Sequence, residues 1–188
     1  MLSLATGVLA LLACTQTSGP SADTRKTPEL VREFFSPSGE FRLVISGSKG
    51  WLNPRPSAEL FQMLDSGRSS VQEWRIEELP HRLGPESAII SNDGIVVLVD
   101  EWIRTPSPRA LTVFDREGMV KSVYSFDEIA KITGMSPSLM IKSAKTGTWE
   151  SGKPILAADS VSTRFFTCDT YFSLNLKTGE ISSKTTSD

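Results

Sequence analysis

From residue 40 to residue 176 the chain is written in short apolar runs, and most of them are closed by a turn containing Gly, Asp, Asn or Ser. This alternation constrains the fold more than any other feature. Runs that short do not build a helical bundle, whereas strands of that length joined by tight turns pair with their sequence neighbours. Residues 40–46 place Phe41, Leu43 and Ile45 at every second position, the period of a half-buried strand. Residues 58–64 put Leu60 on one face and Phe61 and Met63 on the other, and residues 71–76 hold Val71, Trp74 and Ile76. Residues 88–90 and 95–99 are almost wholly apolar, as a central strand covered on both faces requires. Further strands are expected at 110–114, 120–124, 154–157, 163–167 and 171–176, with a short one at Ile181.

The turns resemble one another. Ser36-Pro37-Ser38-Gly39 and Ser91-Asn92-Asp93-Gly94 each introduce a strand. Leu64-Asp65-Ser66-Gly67, Asp115-Arg116-Glu117-Gly118 and Lys177-Thr178-Gly179 each end one strand and begin the next. Asn, Asp and Gly tolerate the positive φ of tight hairpins, so each is a hairpin expectation with a mechanism. Gly39 and Gly94 lie 55 residues apart, and Gly67, Gly118 and Gly179 lie 51 and 61 apart, a weak internal repeat of layout. One segment departs from the β pattern. Ser125 can cap a helix running to Thr133, Glu128 completes a capping box, and Gly134 ends it. Ser136-Pro137 opens a second helical turn, with a strand over 139–143 as the alternative.

This succession of strand, turn and strand resembles the blades of β-propeller proteins. More narrowly, residues 88–149 resemble a group of uncharacterised secreted bacterial proteins. The likeness lies in Asp93-Gly94-Ile95-Val96-Val97-Leu98-Val99-Asp100-Glu101-Trp102, in Leu111 to Gly118, and in the helix opening at Ser125. It implies a β-rich envelope protein and carries no activity. Three repeats fall short of the four or so blades of a closed propeller. The expected fold is therefore mainly β: an antiparallel meander of hairpins, propeller-like or sandwich, with one or two short helices near 126–145.

The first residues differ in composition from the rest. Leu2 to Ala13 carries no charge and almost nothing polar, too short a run to span a bilayer but long enough for the apolar stretch of a secretory signal. It ends in Leu11-Leu12-Ala13-Cys14, which resembles the lipobox of bacterial lipoproteins. The resemblance implies cleavage before Cys14, acylation of that cysteine and attachment to a membrane. Thr15, standing where inner-membrane lipoproteins of enteric bacteria carry Asp, implies the outer membrane where there is one. An ordinary cleaved signal and a buried apolar segment are the other readings. Residues 15–28 are rich in Ser, Thr, Pro and Gly and suit a flexible tether. The expected organisation is a signal peptide at 1–13, a lipidated Cys14 with tether to residue 28, and one β-rich domain over 29–188.

Composition removes several functions. Twenty Lys and Arg against 22 Asp and Glu leave no basic excess for nucleic acid. One histidine and two cysteines leave little for a metal site, and neither metal nor cofactor is expected. His81, in Leu79-Pro80-His81-Arg82, is expected in a surface loop, and Cys168 as a small buried strand residue. Ser46-Gly47-Ser48-Lys49 with two Lys-Thr-Gly triplets, at 145 and 177, imitates the penicillin-binding motif set. The imitation fails on context, since glycines and prolines flank a serine that must open a helix. Asp100 and Glu101 are adjacent, so in a strand they point to opposite faces and make no catalytic pair by themselves.

Aromatic side chains give the one hint of a binding surface. Trp51 and Trp149 lie in Gly-containing loops and Trp102 at a strand end, where an indole can stack on a sugar or anchor a protein. Filling the edge of a β-core is the plainer role for each. The functional expectation is a lipid-anchored envelope protein, non-enzymatic, that binds a protein or a glycan through loops at one end of its sheet. The alternatives are an envelope hydrolase using carboxylates from separate loops, and a structural or assembly protein.

Overall fold

The computed structural model describes residues 29–47, 55–101, 106–158, 161–168 and 170–184. Within them the chain forms three four-stranded antiparallel sheets, each a meander of consecutive strands. The first sheet holds β1 (Val31–Phe35), β2 (Phe41–Ser46), β3 (Ser57–Leu64) and β4 (Ser69–Ile76). The second holds β5 (Pro85–Ile90), β6 (Val96–Glu101), β7 (Leu111–Phe114) and β8 (Val120–Tyr124). Two helices follow, α1 (Phe126–Thr133) and α2 (Pro137–Ser143). The third sheet holds β9 (Gly152–Leu156), β10 (Ser162–Thr167), β11 (Thr170–Asn175) and β12 (Ile181–Lys184).

The second sheet is the middle layer. Every residue of β6 and β7 is buried, because the strands are covered on both faces. Val96, Leu98 and Phe114 join Phe41, Leu43 and Leu60 of the first sheet in one core. Val97, Val99 and Val113 join Phe165, Phe172 and Leu174 of the third sheet in another, which α1 completes with Phe126 and Ile129. Alternation along a strand thus sends successive side chains into two separate cores.

All five expected turns are present, and in four of them a Ser, Asp or Asn side chain at or just before the turn accepts a backbone hydrogen bond. Ser91 Oγ accepts from the Ile95 N–H (3.0 Å), Asp115 Oδ1 from Met119 (2.8 Å), and Asn175 Oδ1 from Lys177 (2.9 Å). The helix cap is as the sequence indicates: Ser125 and Glu128 exchange the two bonds of a capping box, and Gly134 ends the helix in the left-handed region. Residues 139–143 belong to α2, which excludes the strand alternative. β1 was not anticipated. Its sequence, VREFF, has no apolar alternation, and it is an edge strand whose Arg32 reaches across to the second sheet.

The turn glycines also join the sheets. The Gly118 turn lies on Trp74 of the first sheet: a Cβ built at Gly118 would stand 2.8 Å from Trp74 Cγ, at a φ of 80°. Gly118→Val should therefore cost about 2–4 kcal/mol in urea denaturation, from overpacking and positive φ together. Gly67→Val, whose Cβ would meet nothing, should show the φ penalty alone, on the order of 1–2 kcal/mol. Equal losses at the two sites would contradict the packing.

Candidate functional site

Within each meander the turns after the first and third strands fall at one end and the turn after the second at the other. In the first two sheets one end is therefore closed by tight turns. The opposite end carries the longer connections, including 77–84 and 125–151. Buried polar side chains gather at this second end: His81, Asp100, Glu101, Ser107, Thr148 and Glu150.

Asp100 is the pivot. It sits near the end of β6 with a φ of 53°, a conformation Asp tolerates better than most residues. Its Oδ1 accepts the Glu101 N–H (2.9 Å) and its Oδ2 the Thr148 N–H (3.2 Å). Glu101 turns elsewhere, accepting from Ser107 Oγ (2.8 Å) and the Arg82 N–H (3.2 Å). The adjacent pair thus serves two separate networks.

The 145–151 loop brings other carboxylates to Asp100. It is pinned by Trp149, whose fully buried indole lies against Phe165 and Phe172 (5.9 and 5.7 Å between centroids). Thr167 Oγ1 donates to the Trp149 carbonyl (3.2 Å), and the Lys145 and Thr146 N–H groups close the loop onto the Glu150 carbonyl. Gly147, with a φ of 60°, lets the loop pass close to acid: a Cβ there would lie 3.0 Å from Glu86 Oε2 and 3.5 Å from Asp100 Oδ2. Glu86 is on β5, beside the Arg32 guanidinium, which donates to the carbonyls of Pro85 (2.6 Å) and Glu86 (3.0 Å).

Glu150 completes the group. Its side chain is buried and its Oε1 has no protein hydrogen-bond partner. Burial, then the neighbouring charges of Asp100 and Glu86, push its pKa up to about 8. Burial pushes Asp100 up to about 6 against its hydrogen bonds, with Glu86 adding to the rise. Burial and mutual repulsion thus favour the protonated form most strongly at Glu150. Among the described residues no three His, Cys, Asp or Glu side chains are placed to hold a metal ion.

Several expectations meet a different structure. His81 is not on the surface. It is fully buried with Nε2 3.3 Å from Thr112 Oγ1, and burial, with Arg109 nearby, lowers its pKa to about 3. Trp149 offers no face to a ligand, because the third sheet and the middle layer enclose it. Cys168 is half-buried at the β10–β11 turn, not inside a strand, with Sγ 2.7 Å from Ser143 Oγ. Trp51, Trp102 and Cys14 lie outside the described residues. Ser46 ends a strand, and the two Lys-Thr-Gly triplets are turns. Sequence reasoning passed over Glu86 and Glu150. The only signal was Gly147 next to Thr148, Trp149 and Glu150, a flexible residue leading into one side chain made for a core. No protein-family model matches the chain, and no curated protein matches it significantly.

Proposed function

We propose that the chain is an exported, lipid-anchored protein of the bacterial envelope whose β-domain is a non-enzymatic binding module. The ligand is a protein or a glycan, taken at the end that carries the long connections. The observation behind this reading is the asymmetry of the two ends. In the first two sheets tight turns close one end, while the connections 77–84 and 125–151 meet a rigid scaffold at the other, the usual place for recognition.

Two measurements test it. Mass spectrometry of the membrane fraction should find a mature N-terminus at Cys14 with added acyl mass, and Cys14→Ser should release the protein. An intact Met1 in the soluble fraction would refute the anchor. A photoreactive residue at exposed Lys145 should cross-link one discrete envelope component in cells, whereas the same residue at exposed Glu117, in a tight turn, should not. Identical products from both positions would refute the binding end.

The grouping of Glu86, Asp100 and Glu150 favours one second reading, a hydrolase in which Glu150 is the acid and Asp100 the base. In a broad hydrolase screen it requires turnover that both Asp100→Asn and Glu150→Gln abolish. Turnover retained in either variant sinks it.

A further inference from the structure

The 145–151 loop carries a carboxyl group into a place where ionisation is unfavourable. Glu150 is 4 % exposed, and its Oε1 has no hydrogen-bond partner among the described residues. A carboxylate buried there loses its hydration and gains no donor at that oxygen, so burial favours the proton. The surroundings act in the same direction. β6 brings Asp100 and β5 brings Glu86, and both bear on Glu150 as negative charges. From β1 the Arg32 guanidinium bears on Glu86 and donates to the carbonyls of Pro85 and Glu86. Glu101 turns away to Ser107 and Arg82. The third sheet presents Phe165, Phe172 and Thr167 to the loop, none of them charged, and Lys145 on the loop itself is exposed.

The loop is a short clip lying on these acids. The Thr148 N–H donates to Asp100 Oδ2, and the Lys145 and Thr146 N–H groups donate to the Glu150 carbonyl. Gly147 passes over the group, with a Cβ position 3.0 Å from Glu86 Oε2 and 3.5 Å from Asp100 Oδ2. Asp100 and Glu86 belong to strands of the second sheet, whereas Glu150 travels with the loop. A segment held by so few backbone bonds can open while the sheets stay folded. Opening returns Glu150 to water and to its ordinary affinity for a proton. The buried Trp149 indole opposes this step, so the opened loop is the minor form.

We propose that the 145–151 loop is a proton-dependent latch, seated on Asp100 and Glu86 while the carboxyl cluster holds a proton and opened as that proton leaves. The seated form binds the proton more tightly, so the ratio of opened to seated loop rises with pH, by up to about tenfold per pH unit for one proton. The consequence for recognition rests on the reading of this end as the binding end: a ligand held by the seated loop is released as pH rises. The latch itself is measured without a ligand, so the two readings fail separately.

Amide hydrogen exchange of the full chain, followed by NMR from pH 6 to pH 8, tests it. After correction for intrinsic exchange rates, opening at the Lys145, Thr146 and Thr148 amides should rise at least about tenfold over this range. At each pH these amides should open at least about tenfold more often than those of β6, which report global unfolding. In Glu150→Gln the rise should shrink to within about twofold. The Glu150 carboxyl carbon of the unaltered chain gives a check that needs no variant, since it should titrate above the ordinary glutamate range. Loop amides that open only together with β6, a rise that survives in Glu150→Gln, or a Glu150 carboxyl that titrates in the ordinary range would each overturn the proposal.

Discussion

Trp149→Ala should destabilise the domain by about 3–5 kcal/mol, the range for removing a fully buried Trp. The indole is wholly enclosed, and Phe165 and Phe172, themselves stacked at 5.3 Å, would lose their neighbour. A close-packed interior relaxes only partly around a deleted indole, so a cavity remains. Trp149→Phe should cost less, on the order of 1–2 kcal/mol, because most of the contact area survives. Urea denaturation followed by circular dichroism gives both numbers. The larger change should also loosen the 145–151 loop and weaken the Thr148 hydrogen bond to Asp100, which an NMR titration of Asp100 would register as an altered pKa. A loss below about 1 kcal/mol for the alanine variant would mean that the indole is exposed, and a stacking role in binding would return.

The second large effect concerns pH. Glu150 has a folded pKa raised to about 8 from an ordinary 4.5, and Asp100 one raised to about 6 from 3.8. An acid whose pKa rises on folding holds its proton more tightly in the folded state. The stability of that state therefore falls as pH rises from the unfolded pKa to the folded one. For Glu150 the window runs from about 4.5 to about 8, and for Asp100 from about 3.8 to about 6. His81 works in the opposite direction. Its pKa is lowered to about 3 from 6.5, so it costs stability as pH falls through that interval. Between pH 5 and pH 8 the carboxyl groups outweigh the histidine, and the domain should lose roughly 3 kcal/mol. Glu150→Gln keeps the shape and removes the titration, so it should abolish most of that loss and stabilise the protein at pH 8. Denaturation midpoints of both proteins across this range decide the matter. Parallel pH profiles would show that Glu150 does not carry a raised pKa.

Much of the fold was legible in the sequence for a local reason. Hairpins are set by residues close together in the chain. Ser91, Asp115 and Asn175 each close a turn with their own side chains, and Gly94, Gly118 and Gly179 supply the positive φ. Period-two burial in β2 and near-continuous burial in β6 follow directly from side-chain chemistry. The capping box of α1 spans four residues and needs nothing beyond them. β1 escaped because its pairing depends on a neighbour, not on its own pattern.

The site was legible only in part. Adjacent Asp100 and Glu101 do have separate partners, but Asp100 stands at a φ of 53°, so regular strand alternation is not what divides them. The company Asp100 keeps was not foreseeable. Glu86, Asp100 and Glu150 belong to different strands and a loop, and they meet because Trp149 is drawn into a core formed by the second and third sheets. His81 shows the same limit from the other side. Between Pro80 and Arg82 it has the sequence setting of an exposed loop, yet packing against Thr112 buries it. Short-range hydrogen bonding and side-chain period thus make the strands other than β1, the turns, the helix cap and the repeat readable from the residues alone. Only the tertiary structure decided which charges share a low-dielectric environment and which sheet faces stay open, because both depend on how separate sheets stack.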